Sequence, residues 1–357
     1  MTTTGKTVRI LVGSAGRRTY LLRWFRESLE RHGLRAEIAI TDADPRAVTT
    51  AFADVVHRVP PYDHPGFVDA MVTVFDRTRP DLFLSVNDHE LTCLAGPLAD
   101  KLRGFGGVVL ALEADRQQVV ADKYAMAGTF AEYGISCPPT VLGSDSEGLA
   151  RLAGSAARLV IKDRYGSGSS GFAVVRASDV GAALASRGGP DGRGDPDLLV
   201  VQPFLSGVEF GLDIVSDLTG SAEVTGVLAR RKDAVSQSVT TRVVTVDPSA
   251  FRSLAESIAH VVRPQGPVDV DLIETAESGL QLLDVNPRFG GGYPFSHCAG
   301  SDVPGYLIAE LRGCPHRPTG TPTGSAPPSA GTIRSCQSTE CHRPWALRFA
   351  ELGHPFW

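Results

Sequence analysis

The sequence predicts an α/β protein of two or three domains that opens on a parallel sheet and closes on an antiparallel hairpin. Three observations carry this. The chain has 357 residues, too many for one compact core of ordinary size. Its first segment reads strand, glycine turn, helix, strand, the order of a βαβ unit. Near residues 268–294 two alternating strands flank a turn, and oxygen-bearing side chains crowd onto one side of them.

Val8 to Val12 is the first apolar run, followed by GSAGRR and by Tyr20, Leu21, Trp24, Phe25 and Leu29 at helical spacing. Gly33 ends that helix, and Ala36 to Thr41 is the next strand, closing with Asp42 and Asp44. A dinucleotide site is the tempting reading of this turn, but Gly13 and Gly16 supply only GxxG. A turn that sets a helix N-terminus beside Arg17 and Arg18 fits better, either to hold an anionic substrate group or as a solvated first turn. Asp81 to Leu91 is a buried-type strand ending in polar residues, where open α/β sheets place ligands. Asp88 and Glu90 are candidate substrate contacts there, with an N-cap role for Asp88 as the competing explanation. Val108 to Leu112 supplies another strand, and the first domain ends near Asp115.

The segment ADKYAMAGTFAEYG is a helix stopped by Gly134. Arg158 to Lys162 and Phe172 to Val175 are strand-like arms around a glycine- and serine-rich loop. Such a loop can wrap phosphates with backbone N–H groups; it is not a P-loop, and a flexible surface hairpin is the alternative. Ser186 to Asp197 is an exposed loop, and Pro203 to Gly207 break two strands, the second carrying Glu209, Leu212 and Asp213. Arg230, Arg231 and Lys232 form a basic run after the strand EVTGVLA, solvated unless anionic groups lie near. Arg317 to Gly331 reads as a linker.

In an extended strand Asp284 and Asn286 project the same way while Val285 points into the core. A turn centred between Glu277 and Ser278 sets Asp271 opposite Asp284 and Asp269 opposite Asn286; a three-residue loop ending at Gly279 would slip this by one. Like charges facing across strands repel unless something neutralises them, and hard oxygen donors suit Mg²⁺. A solvated hairpin face is the other reading.

The net charge of −5 leaves no basic footprint for nucleic acid, and no run is long and apolar enough to span a bilayer. The N-terminal apolar run is too short for a secretory signal, so a cytoplasmic location is expected. The six cysteines are scattered, which predicts reduced thiols, and Cys336, Cys341 and His342 lack the spacing and fourth ligand of a zinc site.

Together, DVNPRFGGGYP, IKDRYGSGSSG and QPFLSGVEFGLDI, in this order and spacing, resemble the ATP-grasp superfamily, and the chain resembles its carbamoyl-phosphate-synthase-like carboxylate–amine ligases over residues 8 to 312. The resemblance implies an N-terminal Rossmann-like (pre-ATP-grasp) parallel sheet in residues 1–115, and a small α+β lid in 116–200. A C-terminal α+β subdomain with an antiparallel sheet and the metal site follows in 201–315, and a tail of unplaced role in 316–357. It implies that Lys123 and Lys162 contact nucleotide phosphates, helped by Ser167, Gly168 and Ser169 of the loop. Gln202, Pro203, Phe204 and Leu205 would read adenine, and Glu209 would hold ribose. Asp271, Asp284 and Asn286 match the ligands of Mg²⁺, of which two ions are expected, though the family usually has glutamate at position 284. Arg288 matches the arginine that steadies the transferring phosphoryl group, with Lys162 and Arg231 as further catalytic candidates; Arg17, Glu90, Gly290, Gly291 and Tyr293, with His297, are candidates for the acceptor pocket.

The expected activity is an ATP- and Mg²⁺-dependent joining of a carboxylate to an amine, an amino acid or small peptide, through an acyl phosphate, releasing ADP and phosphate. A non-catalytic nucleotide-binding module and a nicotinamide-dependent oxidoreductase are the alternatives. Small-molecule substrates and a homodimer are the expected partners, without nucleic acid or membrane.

Overall fold

The structure is a computed structural model and describes residues 7–166, 171–187, 195–236 and 239–313. The first sheet is built from β1 (Thr7–Gly13), α1 (Thr19–Arg31), β2 (Arg35–Asp42), β3 (Val55–Arg58), α2 (Phe67–Thr78), β4 (Leu82–Ser85), α3 (Asp88–Leu94), α4 (Pro97–Arg103) and β5 (Val108–Leu110). Its strands run parallel in the order β3-β2-β1-β4-β5. Both faces are covered: Ile10 and Val12 point to the α1 side with Phe25, while Leu11 joins Met71, Phe75 and Phe83 on the other. That two-sided burial is why β1 reads as a continuous apolar run. Strand order reverses between β1 and β4, which puts a crevice at their C-terminal ends.

The run from Asp81 to Leu91 is strand only as far as Ser85. The Asn87 side chain then accepts hydrogen bonds from the N–H groups of His89 and Glu90, capping α3. The cap is therefore Asn87, and Asp88 is free to use its carboxylate elsewhere.

Next come α5 (Ala114–Ala121), α6 (Lys123–Glu132), β6 (Val141–Leu142), α7 (Ser146–Ser155), β7 (Arg158–Asp163), β8 (Ala173–Arg176), α8 (Val180–Arg187) and β9 (Leu199–Pro203). The four strands form an antiparallel sheet in the order β6-β9-β7-β8 around Leu152, Leu159, Ile161 and Val201. The arms of the glycine loop are β7 and β8, as the sequence suggests; Ser167, Gly168 and Ser169 at its tip lie outside the described residues. Residues 112–135, expected partly with the small subdomain, instead pack Met126 and Phe130 into the core of the last sheet.

That sheet consists of β10 (Val208–Ser216), β11 (Val224–Ser236), β12 (Val239–Val246), β13 (Gly266–Thr275) and β14 (Gly279–Asn286), with α9 (Arg252–Val262) before β13. Its order is β12-β11-β10-β13-β14, all antiparallel. One face is apolar: Leu212, Ile214, Val270, Leu272 and Val285 pack with Ile258 and Val262 of α9. Both hairpin registers weighed from sequence are present. Thr275 pairs with Gly279 across a three-residue loop and Leu272 with Leu282; a bulge at Leu283 then restores Asp271 opposite Asp284 and Asp269 opposite Asn286.

Two short helices, α10 (Tyr293–Cys298) and α11 (Val303–Leu311), return the chain to α1, where Tyr293, Tyr306 and Leu307 share a core with Trp24 and Phe25. Residues 314–357, including the expected linker and Cys336, Cys341 and His342, lie outside the described part. Among the described residues no helix is long and apolar enough to cross a membrane.

Leu272 is wholly buried between the last sheet and its helix layer. L272A is expected to cost about 2–5 kcal/mol through lost burial and an uncollapsed cavity, measured by urea denaturation.

Candidate active site

The opposite face of the last sheet is charged, by simple alternation. Glu209, Gly211 and Asp213 of β10, Arg230 and Lys232 of β11, Asp269 and Asp271 of β13, and Asp284 and Asn286 of β14 share parity in the cross-strand register. Arg230 is buried and its guanidinium bonds both Asp213 and, at 3.0 Å, Asp269. It lies across Gly211, where a Cβ would stand 3.0 Å from its Cζ. Lys232 pairs with Asp271 at 2.7 Å and Glu209 at 3.5 Å. The basic run is thus inside a strand, not after one, and this corrects the choice of Arg231. Being one residue out of phase, it is exposed, paired with Asp233 at 2.9 Å, and does not face the acids.

Between this face and the small sheet lies a cleft of about 370 Å³. Lys123, Lys162, Gln202 to Leu205, Glu209, Asp271 and Asp284, all singled out in the sequence, line it together. Lys232, Val160, Phe172, Ile273 and Leu283 line it too and were not singled out. The signal for Lys232 was available, since the same alternation that removes Arg231 brings Lys232 in. Lys123 Nζ donates to the carbonyl of Gly166, at the start of the glycine loop. Burial pushes the Lys162 ammonium down to about 8, partly opposed by Asp284. Burial also raises the Asp284 carboxyl, against the pull of Lys123 and Lys162.

Asp284 has no ion pair within contact distance among the described residues, unlike Asp269 and Asp271. Asn286 Nδ2 approaches its Oδ2 at 3.4 Å, leaving the amide oxygen as an acceptor. Among the described residues no three His, Cys, Asp or Glu side chains are gathered so as to hold a metal ion. What the hairpin offers is two carboxylates and an amide, a donor set that fits Mg²⁺, which keeps its other positions for water and phosphate.

Arg288 stands beside the cleft rather than in it. Asp88 grips it with two hydrogen bonds, from Nε at 2.8 Å and Nη2 at 2.7 Å, and Asp269 lies 3.6 Å away. The neighbouring glycines have a packing reason: the Asp269 carboxylate and the Arg230 guanidinium fill the spaces that Cβ atoms at Gly290 and Gly292 would need, while Gly291 is open.

The acceptor candidates divide. Arg17 is exposed and its side chain makes no hydrogen bond or ion pair among the described residues, whereas Arg18 reaches the Gly290 carbonyl at 3.0 Å. Tyr293 is corrected: it is fully buried, its hydroxyl held by Val303 N–H and the Ser301 carbonyl, so it is a packing residue. His297 stacks on Trp24 with ring centroids 3.8 Å apart. Glu90 is 1% exposed and lies against Gly13; Ser14 donates to one oxygen and the other has no partner. A buried acid at that turn, with Gly16 N–H already given to Asp42 at 3.1 Å, opposes the approach of a dinucleotide's phosphates.

Two family profiles match parts of the chain: "ATP-grasp in the biosynthetic pathway with Ter operon" over residues 195–326 and "PylC-like, N-terminal domain" over residues 10–102. Similar solved structures include N5-carboxyaminoimidazole synthetase from Staphylococcus aureus complexed with ADP, at 12% identity and TM-score 0.66, covering 89% of this chain and 80% of that one. A biotin carboxylase–ATP complex from Campylobacter jejuni has 15% identity and TM-score 0.64, with 87% and 72% covered. L-amino acid ligase from Bacillus licheniformis has 15% identity and TM-score 0.64, with 87% and 75% covered. At these identities the likeness is one of fold. No curated protein matches the chain in sequence.

Burial raises the Glu90 carboxyl from 4.5 to about 7. The folded state therefore holds this proton more tightly than the unfolded one, and stability falls as pH rises between those values. E90Q is expected to melt above the wild type at neutral pH and beyond, and the difference to close below pH 4.5, measured by thermal melts across pH.

Proposed function

We propose that this chain, which has the ATP-grasp fold, activates a carboxylate with ATP and joins it to an amine, releasing ADP and phosphate. The observation that carries this reading is the cleft where Lys123 and Lys162 share one lining with Asp271 and Asp284. Cations and hard oxygen donors on facing walls are what a metal-bound triphosphate requires.

A carboxylate does not condense with an amine in water, because the departing oxygen is a poor leaving group. Transfer of the γ-phosphoryl group to the carboxylate oxygen gives an acyl phosphate and ADP. Attack by the amine nitrogen on the carbonyl then forms the amide, expels phosphate and releases a proton. Positioning and charge balance carry most of such a reaction.

In this reading the apolar side chains of Val160, Phe204, Ile273 and Leu283 receive the adenine. Phe204 N–H is committed to the Arg158 carbonyl at 3.0 Å, and Leu205 N–H has no backbone partner among the described residues, so Leu205 is the donor left for a base edge. Glu209 takes ribose hydroxyls. Lys123 and Lys162 hold phosphate oxygens, joined by Ser167, Gly168 and Ser169 of the loop. Asp271, Asp284 and Asn286 would hold Mg²⁺, which when bound offsets phosphate charge. Arg288 steadies the transferring group, with Asp88 fixing its orientation. The acceptor enters at the crevice between β1 and β4, near Arg17, Arg18, Gly290 and Gly291. An amino acid or small peptide is the substrate class that cationic side chains beside an amine-accepting site would suit.

The test is an ADP-release screen across carboxylate and amine pairs, with mass spectrometry of the products. ADP and an amide are expected; AMP with pyrophosphate refutes the mechanism. K162A and D284A should each lower turnover by about 10²–10³-fold or more with the fold intact, as for other electrostatic contacts in a transition state. Phosphate beside Lys162 should raise its lowered pKa again. Nucleotide binding near pH 8 is therefore expected to take up a proton, and affinity to fall as pH rises through about 8. Calorimetry in buffers of different ionisation heat measures this, and K162R should abolish the uptake.

A further inference from the structure

The rim of the first sheet carries a patch that this chemistry does not use. Among the described residues β3 pairs only with β2, which leaves a row of backbone groups open at its outer side. Val59 N–H bonds the Asp42 carbonyl, so by alternation the backbone groups of His57 and Val55 also turn toward β2, and those of Val56 turn outward. Monomers usually guard such a rim with charge, a bulge or a covering segment. Here it is apolar: Val55 is 38% and Val56 43% exposed, with Phe52 at 51% and Val48 at 38% just before them. These are four of the thirteen large apolar side chains left exposed among the described residues, gathered within positions 48–56.

We propose that β3 pairs antiparallel with β3 of a second copy of this chain, with Val56 on the two-fold axis, so that the two parallel sheets join edge to edge. The sequence Asp54-Val55-Val56-His57-Arg58 is self-complementary about that axis. Val56 comes opposite the partner's Val56, and its backbone groups point outward, so the ladder closes in a hydrogen-bonded pair there, and the Asp54 carbonyl is left to the partner's Arg58 N–H. Val55 meets the partner's His57 in the closer, non-hydrogen-bonded position. Asp54 comes opposite the partner's Arg58, an attractive cross-strand pair on each side of the axis. The Arg58 side chain makes no hydrogen bond or ion pair among the described residues, and Asp54, held by Arg26 at 3.0 Å and by Ile38 N–H at 2.8 Å, is still exposed. Moving the axis to Val55 or His57 breaks the Asp–Arg pairing. An isologous interface needs a patch that fits itself, and this one does.

Sedimentation velocity of the full chain at micromolar concentration is expected to show a dimer. V56K sets two ammonium groups on the axis and should give a monomer with an unchanged melting temperature, since the side chain is exposed. V56C brings two Cα atoms to about 5.5 Å, within the range a disulfide spans, and should cross-link under mild oxidation. V208C, at an equally exposed valine on another sheet, should not cross-link. A monomeric wild type, a dimer that V56K leaves intact, or a V56C protein that does not cross-link overturns the proposal.

Discussion

A chain of alternating charges, Asp88–Arg288–Asp269–Arg230–Asp213, holds the molecule's functional half in place. It begins on the first helix after β4 and ends in the middle of the last sheet. Taking a single charge out of water is costly, and each member here is offset by neighbours of opposite sign on both sides or at one end. Removing either cation would strip an end acid, Asp88 or Asp213, of its ion pair and leave Asp269 with only one of its two arginines, so the members depend on one another. Its geometry sets where Arg288 points and leaves Asp271 and Asp284, with Glu209, as the acids that face the cleft.

Much of this layout was legible because strands alternate. The period of two separates an apolar face on α9 from a charged face on the cleft, and it placed Asp271 opposite Asp284 from the sequence alone. The same rule, applied to β11, would have chosen Arg230 and Lys232 over Arg231. It was missed because the strand was taken to stop before the basic run, and a run of like charges reads as surface until its acidic partners on other strands are known.

Other features depend on contacts distant in sequence. Asp88 and Arg288 are 200 positions apart, and no local pattern links them. The glycines after Arg288 look like room for a substrate, yet two of the three make way for the buried side chains beneath them. Tyr293 looks like a pocket residue from its place beside those glycines, but its hydroxyl closes a turn between α10 and α11. Asn87 rather than Asp88 caps α3, a choice between adjacent residues that propensity alone does not resolve.

The return of α10 and α11 to α1 has a consequence for biosynthesis. Ile10, Phe25 and Trp24 share their core with Tyr293, Tyr306 and Leu307, so one face of the first sheet is completed by residues made nearly three hundred positions later. As the chain leaves the ribosome, that apolar face waits uncovered while the middle of the protein is translated. Cutting the gene at the apparent boundary after the first sheet would make that exposure permanent, yielding a fragment prone to aggregate rather than a free-standing unit.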